Sequence, residues 1–246
     1  GKTIVTPQHS IYTKNKKLID ATKLKVGDEL ISLTNPIIET KYKEGFIFDV
    51  LEFDLKNEAS KIRVYQYNLK FKLGKKGKCP YCDKKRVLYT HVSNQHGERK
   101  LSIKQGLESN HEWIGYKNAG VGRIPRFWKL SEELSWVLGF YCAEGSLSEG
   151  KKSLLSFGNQ NIKLIQKVKK YFDKVLKSDL KIIKNFDKRN KKFMYYYRVQ
   201  RKPLIPLFKH VFQTGKGREN KKVPWFIYNS EDSIKKSFIN GYLAGD

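Results

Sequence analysis

The sequence predicts an α+β fold, and three observations support this class. Of its 246 residues, 39% are hydrophobic and 13% are aromatic, which is enough to build a packed core. Between Ile162 and Leu176, apolar residues recur every three or four positions, as they do on one face of an amphipathic helix. Residues 192–200 alternate with the period of a β-strand instead. Helices and strands therefore share the chain.

The character of the sequence changes twice, which divides the chain into three segments. Residues 1–38 contain short strand-like runs and a tight turn at 26–28, and Pro36 ends the last run. Residues 39–130 are strongly charged and rich in turn residues, so their structure is the hardest to predict. Residues 131–246 alternate helical and strand patterns. The elements predicted there are helix 131–144, strand 153–157, helix 162–176, strands 180–186 and 192–200, helix 203–212 and a helix from Ile234 onward.

The charge of the chain favours a nucleic-acid partner. Lys and Arg number 50 against 24 Asp and Glu, which gives a net charge of +26. A membrane partner is disfavoured, because the chain has neither a long apolar run nor a basic-then-apolar leader. Three cysteines do not form a disulfide framework in a protein of this size, so we expect a reducing, cytoplasmic location.

Two segments about a hundred residues apart have the same pattern of small residues. Gly139 and Ala143 stand one helical turn apart in VLGFYCAEG, and Gly241 and Gly245 do so in INGYLAGD. Small residues at this spacing share one helix face and let two backbones approach closely. We therefore expect the two helices to pack on each other. The alternative is two ordinary buried helices whose glycines relieve crowding.

Each of these helices ends in an acid, Glu144 in the first and Asp246 in the second. A carboxylate in the last turn lies at the negative end of the helix dipole, which costs about 0.3–1 kcal/mol. A bound Mg²⁺ removes this penalty and can activate water for attack on a phosphodiester. The pattern predicts a nuclease centre.

The middle segment contains the residues of a predicted zinc site. Cys79 and Cys82 form a C-x₂-C pair, and His91 and His96 form an H-x₄-H pair, with eight residues between the two pairs. Two thiolates and two imidazoles can complete a tetrahedral Zn²⁺ set. The alternative is four unrelated polar or buried residues. The neighbouring basic side chains that we expect to bind phosphate are Lys84, Lys85 and Arg86.

The two glycine-containing segments resemble the paired LAGLIDADG motifs of dodecapeptide-type homing endonucleases. Between them, NKKVPWFIYNS resembles that family's K-x-[IV]-P block. The resemblance implies one αββαββα half and the first helix of a second half within 131–246. It assigns Glu144 and Asp246 as Mg²⁺-binding acids and Lys221 as a basic residue near the cleavage centre. It also implies a monomer, when complete, that cuts both strands of double-stranded DNA at a long site.

In the resembled fold a saddle-shaped sheet lies over the major groove of the DNA. If the odd positions of strand 192–200 face the helices, then Tyr196, Arg198 and Gln200 face the DNA. A register slip would reverse this assignment. Packing within the sheet remains the alternative for the tyrosines.

The opening segment resembles an intein. In GKTIVTPQHSIYT, Thr6 and His9 form the T-x-x-H pair that assists acyl transfer in that family, and ATKLKVGDEL is similar to the turn that follows. A turn or helix cap is the alternative for T-x-x-H alone. The resemblance implies a β-rich Hint-like remnant at 1–38 and the endonuclease at 131–246, and the Cys/His spacing predicts a zinc-finger-like insert at 39–130 between them. The combination is similar to archaeal family B DNA polymerase inteins, whose partners include the flanking host segments, the exteins.

Two departures from the intein pattern affect what this chain can do alone. Residue 1 is Gly rather than a Cys or Ser nucleophile, and the chain stops at Asp246 without a His-Asn pair. We therefore expect a piece of a longer protein that neither splices nor cuts DNA by itself. Two other hypotheses stay open: a non-catalytic, zinc-dependent nucleic-acid-binding protein, and a splicing element whose nuclease has decayed.

Overall fold

The chain divides into two compact units, residues 1–39 and residues 40–246. The computed structural model describes residues 10–12, 18–25, 27–28, 39–53, 55, 60–65, 76–79, 82, 84–87, 101–116, 122–150, 153–188 and 191–245. No helix in these ranges is both long and apolar enough to cross a membrane.

The first unit contains an antiparallel hairpin of β1 (Ser10–Tyr12) and β2 (Leu18–Asp20), followed by a 3₁₀ turn at Ala21–Lys23. A tight turn closes after it, where Asp28 N–H donates to Lys25 O at 3.1 Å and Lys25 N–H donates to Asp28 Oδ2 at 2.7 Å. Gly27 occupies this turn with φ of +101°. A turn was predicted at this position.

The second unit begins with short strands and one short helix. The strands are β3 (Ile47–Asp49), β4 (Ile62–Tyr65), β5 (Lys76–Lys78), β6 (Lys85–Val87), β7 (Trp113–Tyr116), β8 (Ile124–Pro125) and β9 (Phe127–Lys129), and the helix is α1 (Ile103–Leu107). They form antiparallel sheets in the orders β4-β7-β8, β3-β9 and β5-β6. This part of the chain, which the sequence left unassigned, is built from regular elements in its described ranges.

A buried arginine connects several elements of the segment before residue 131. Arg126 is only 4% exposed, and its Nε donates to Asp49 Oδ1 at 2.8 Å. Its Nη1 donates to Gly106 O at 2.7 Å and to Ser109 O at 2.9 Å. A buried guanidinium needs such partners, since an unpaired buried charge is strongly destabilising. One side chain therefore joins β3, α1 and the β8–β9 connection.

The remaining elements alternate between helices and strands. They are α2 (Glu132–Glu144), β10 (Gly145–Ser148), β11 (Leu154–Asn159), α3 (Ile162–Leu176), β12 (Ile183–Asp187), β13 (Lys192–Val199), α4 (Leu204–Pro206) with a π-helical turn at Leu207–Val211, and α5 (Asp232–Gly245). The sheet is antiparallel in the order β10-β11-β13-β12. The mixed α+β class is confirmed, and all of these elements except β10, which was not predicted, overlap the predicted ones.

Local sequence explains where α2 and α3 begin and where α3 ends. Ser131 Oγ accepts a hydrogen bond from Leu134 N–H at the start of α2, and Asn161 Oδ1 accepts one from Lys163 N–H at the start of α3. Lys177 ends α3 in the left-handed conformation, with φ of +48°.

The four-stranded sheet has one covered face and one open face. Leu155, Phe157, Tyr197 and Val199 point into the hydrophobic core beneath α2 and α3. The opposite face carries Ser146, Ser148, Asn185, Tyr196 and Arg198, as the strand registers require. We call this second surface the open face.

Residues on both sides of the predicted boundary at 130/131 share one core. The rings of Trp128 and Phe212 lie 5.9 Å apart, and those of Phe48 and Phe226 lie 4.7 Å apart. The segments 40–130 and 131–246 therefore belong to one compact unit.

Candidate functional site

Two helices cross at glycines in the centre of the candidate site. A Cβ atom placed on Gly139 would overlap the carbonyl oxygen of Phe238, and one placed on Gly241 would overlap the carbonyl oxygen of Trp136. Both overlaps are with backbone atoms, which cannot rotate away as a flexible side chain can. Glycine at these positions therefore lets α2 and α5 come into backbone contact.

Two serine hydroxyls bridge the same crossing. Ser135 Oγ donates to Ile234 O at 2.7 Å, and Ser237 Oγ donates to Glu132 O at 2.8 Å. One offset of 102 residues relates the two serines, the two acceptors and the two crossing glycines. The helices are thus related by an approximate twofold axis. Sequence reasoning missed these serines, although the repeated spacing Ser-x₃-Gly-x₃-small would have revealed them.

The carboxyl ends of the two helices lie side by side. A Cβ atom placed on Gly245 would lie 2.6 Å from Ala143 Cβ and 3.0 Å from Glu144 Cγ. Glu144 is half-buried in the last turn of α2. Asp246, the other predicted acid, lies outside the described residues. The structure brings together the predicted packing residues Gly139, Ala143, Gly241 and Gly245, with Glu144 beside the last of them.

Lys221 lies at the same end of α2. Its Nζ donates to Ala143 O at 3.3 Å and lies 5.4 Å from the centroid of the Tyr141 ring. Burial lowers the pKa of Lys221, and the charge of Glu144 opposes part of this shift. The site therefore holds an amine close to the predicted metal-binding acid.

The loop that carries Lys221 is fixed by hydrogen bonds to α2 and within itself. Tyr141 Oη donates to Gly215 O at 3.0 Å, and Lys222 N–H donates to Thr214 O at 2.9 Å. Gly215 has φ of +77°, and a Cβ there would overlap Asn220 O, so the loop closes tightly at this glycine. These contacts hold Lys221 against the helix end.

Cys142 is part of this loop's packing. Its Sγ–H donates to Lys222 O at 3.4 Å. Burial raises the pKa of the Cys142 thiol to about 11, so it stays protonated at neutral pH. This agrees with a small packed thiol and not with a nucleophile.

The open face carries the residues predicted to contact DNA. Tyr196 and Arg198 lie on this face, and the Arg198 guanidinium carbon lies 4.9 Å from the centroid of the Tyr196 ring. Gln200 follows the end of β13 and is exposed. Tyr197 and Val199 point the other way into the core. The odd-numbered residues of β13 therefore face the helices, which is the register that the prediction of DNA-facing residues assumed.

The predicted zinc ligands are only partly described. Cys79 and Cys82 lie in the turn between β5 and β6, which Cys79 N–H closes by donating to Lys84 O at 3.0 Å. Among the residues that the structure describes, no group of three His, Cys, Asp or Glu side chains could hold a metal ion. His91 and His96 lie outside those residues, so the zinc set stays a prediction. Lys84 and Lys85 are exposed beside this turn, and Arg86 follows in β6.

The predicted splicing pair cannot be placed. Thr6 and His9 both lie outside the described residues, so their role also stays a prediction.

Comparisons with known proteins find similar segments in proteins of different kinds. Over 174 residues, which is 68% of this chain and 9% of the relative, the chain is 29% identical to a DNA polymerase from Thermococcus sp. (strain GE8). Over 129 residues, 48% of this chain and 7% of the relative, it is 31% identical to a DNA polymerase from Acanthamoeba polyphaga mimivirus. Over 246 residues, 94% of this chain and 23% of the relative, it is 24% identical to an A-type ATP synthase subunit from Pyrococcus horikoshii.

Each similarity covers a minor part of the relative. The chain spans less than a tenth of either polymerase and under a quarter of the ATP synthase subunit. No model of a known protein family matches the chain.

Proposed function

We propose that this chain is part of an intein that carries a LAGLIDADG-type homing endonuclease, a metal-dependent enzyme that cuts double-stranded DNA. One observation carries this proposal: the crossing of α2 and α5 at Gly139 and Gly241 sets the two helix ends side by side, with Glu144 next to Gly245. The order of elements from α2 to α5 contains the αββαββα pattern of that family. The crossing supports a shared site at the helix ends.

The donors at these helix ends fit a hard divalent cation. The C-terminal end of α2 presents the negative pole of its dipole and the half-buried Glu144 carboxylate. The 102-residue offset that relates the two helices assigns Asp246 as the counterpart of Glu144. When bound, Mg²⁺ would supply a Lewis acid and an activated water. Glu144 and Asp246 would hold it.

Lys221 supplies the third part of the site. Its amine lies within hydrogen-bonding distance of Ala143 O, one residue before the metal-binding acid. A fixed positive charge there stabilises the negative charge that develops on the phosphate as the bond breaks. The partial burial of Lys221 strengthens that interaction by excluding water.

The comparisons support the intein part of the proposal. A DNA polymerase and an ATP synthase subunit have unrelated functions, yet both contain a short segment similar to this chain. The two similarities cover 68% and 94% of the chain, so they must overlap. A mobile element inserted into different hosts accounts for such a pattern. Thr6 and His9 would then assist peptide-bond cleavage at the upstream junction, and the exteins of the host would be partners.

The C-x₂-C turn is proposed as half of a zinc site that supports DNA binding. Cys79 and Cys82 are set in a hairpin turn, which is a common geometry for two thiolate ligands. His91 and His96 would complete the set. The exposed Lys84 and Lys85 place positive charge at this turn for phosphate contacts.

Cleavage of DNA by the full-length protein, including any residues before Gly1 or after Asp246, tests the proposal. A target is first selected from a randomised duplex library by retention on the protein in Ca²⁺. The selected duplex is then incubated with Mg²⁺. We expect double-strand cuts that EDTA abolishes, and at least a 10²-fold loss of rate in Glu144→Gln and Asp246→Asn with DNA binding retained.

Glu132→Gln is the matched control, because Glu132 is an exposed acid at the opposite end of the same helix. It should cut like the wild type. Binding of the selected duplex without any cutting in Mg²⁺ or Mn²⁺ would contradict the endonuclease and favour a non-catalytic DNA-binding protein.

A further inference from the structure

A cleft of about 360 Å³ lies outside the helix-crossing site. Lys61 and Tyr116 line it from the segment that precedes α2, and Glu149, Lys202 and Lys209 line it from the segment that follows. Both sides belong to the same compact unit. The cleft thus lies between the segment before α2 and the proposed endonuclease.

The strand register places this cleft at one end of the open face. Val199 at the end of β13 is paired with Leu155 at the start of β11, and Arg198 is paired with Ser156. The connection that precedes β11 and the residues that follow β13 therefore meet at the same end of the sheet. Glu149 and Lys202, both in the cleft, lie in those two segments. A ligand lying along the open face past Arg198 would next reach the cleft.

The charges of the cleft favour a polyanion. Lys61, Lys202 and Lys209 are exposed lysines of its lining, and His210 adds an imidazole. Glu149 is the acid of this lining, and its Oε1 lies 3.4 Å from Lys209 Nζ and 3.8 Å from Lys216 Nζ. Exposed pairs of this kind contribute little to stability and exchange readily for another anion.

We propose that this cleft binds the phosphodiester backbone of duplex DNA beyond the segment that the open face contacts. The inference rests on the proposed function, because it takes the open face as a DNA-binding surface. It adds a second set of DNA contacts to the segment before α2: Lys61 contacts backbone phosphates from one wall of the cleft, and Lys202 contacts them from the other. Such contacts add affinity and fix the register of the protein on DNA without reading sequence.

The salt dependence of DNA binding tests the proposal. Dissociation constants of the full-length protein are measured with the selected duplex between 50 and 300 mM KCl, where each phosphate contact contributes about 0.9 to the slope of log K against log salt. We expect Lys61→Gln and Lys202→Gln each to weaken binding by about five- to tenfold at 0.1 M salt and to lower the slope by about one. Lys170→Gln is the matched control, because Lys170 is an exposed lysine of α3, which covers the opposite face of the sheet.

Glu149→Gln provides a test with the opposite sign. Removing this carboxylate releases Lys209 and eliminates repulsion of a phosphate, so we expect binding to tighten by about threefold. A variant that binds more tightly cannot owe its effect to misfolding. Unchanged or weaker binding by Glu149→Gln would overturn the proposal.

Ethylation interference locates the contact on the DNA. We expect interfering phosphates at one end of the footprint that disappear with Lys202→Gln, and no cleft effect on a duplex trimmed to exclude them. If Lys202→Gln still weakens binding to the trimmed duplex, the cleft does not contact the phosphates at that end of the DNA and the proposal is wrong.

The outcomes separate this inference from the proposed function. If Arg198→Gln weakens DNA binding while Lys61→Gln, Lys202→Gln and Glu149→Gln do not alter it, the cleft proposal fails and the endonuclease proposal stands. If the full-length protein retains no duplex, the proposed function itself fails.

Discussion

The two crossing helices have the same contact surface but different surroundings. At the crossing, each contributes a serine and a glycine at equivalent positions, and the contacts are reciprocal. Away from the crossing, Phe140 and Tyr141 of α2 are fully buried beneath the sheet. Their counterparts at the 102-residue offset, Tyr242 and Leu243 of α5, are 43% and 62% exposed.

This difference shows that the contact between the two helices does not depend on burial of their outer faces in the core. The reciprocal hydrogen bonds and glycine contacts are made whether or not the outer face of the helix is covered. The contact surface between α2 and α5, which we call the seam, therefore depends on the Ser-x₃-Gly-x₃-small spacing. Burial of the outer face of α2 depends instead on the sheet that packs against it. Substitutions in the two helices should separate these contributions.

The largest effect expected is on the covered face of α2. Phe140 stacks on Trp136 with ring centroids 5.2 Å apart and on Phe157 with ring centroids 6.3 Å apart. Phe140→Ala should lower the free energy of unfolding by about 3–5 kcal/mol, because it leaves a cavity in the core. The equivalent change in α5, Tyr242→Ala, should lower it by less than about 1 kcal/mol. Urea unfolding followed by circular dichroism measures both, and equal losses would contradict the comparison.

The next effect is on the seam itself, where both helices should respond alike. Alanine is favoured over glycine within a helix by about 1 kcal/mol, but here its Cβ would overlap a backbone carbonyl. Gly139→Ala and Gly241→Ala should each reduce stability by about 2–3 kcal/mol net.

Asn240→Ala serves as the control for the seam, since residue 240 is exposed in the same helix. Because alanine has the higher helix propensity, the free energy of unfolding of Asn240→Ala should equal or slightly exceed that of the wild type. If Gly241→Ala behaved like Asn240→Ala, the two backbones would not be in contact in solution.

Much of the second unit could be predicted from the sequence. The apolar spacing from Ile162 to Leu176 and the alternation in β13 are local patterns, and each produced the expected element. The small-residue spacing also placed Gly139 and Gly241 at the helix crossing. Such patterns are informative because the side-chain period directly determines which face is buried.

The segment before α2 could not be predicted in the same way. Its strands are two to four residues long, too short for a periodic signal. The buried Arg126–Asp49 pair that connects its elements joins residues 77 positions apart. The sequence around Arg126 does not distinguish it from the exposed arginines. The cleft around Lys61 and Lys202 could not be predicted from the sequence either, because it depends on how two segments that are distant in sequence pack together.

The smallest effect expected concerns Lys221, which connects the seam to the proposed chemistry. Burial lowers the pKa of Lys221 in the folded chain, so over the interval between its folded and unfolded pKa values the unfolded chain binds more protons. Stability then rises with pH through that interval, up to the ordinary lysine value of about 10.5. At pH values below this interval Lys221 is charged in both states, and burial of its charge lowers the stability of the folded chain by the full amount. Lys221→Met should therefore be more stable than the wild type at pH 7–8, and this advantage should shrink as the pH approaches 10.

Unfolding in urea at several pH values measures this difference, and Lys222→Met is the control because the neighbouring side chain is exposed. That control should show no pH-dependent advantage. A Lys221→Met chain that is less stable than the wild type at pH 8 would mean that the contacts with Ala143 and Glu144 outweigh the burial penalty. If Lys221→Met instead gains stability and loses cleavage, the amine is kept at the helix ends for chemistry, against its effect on folding.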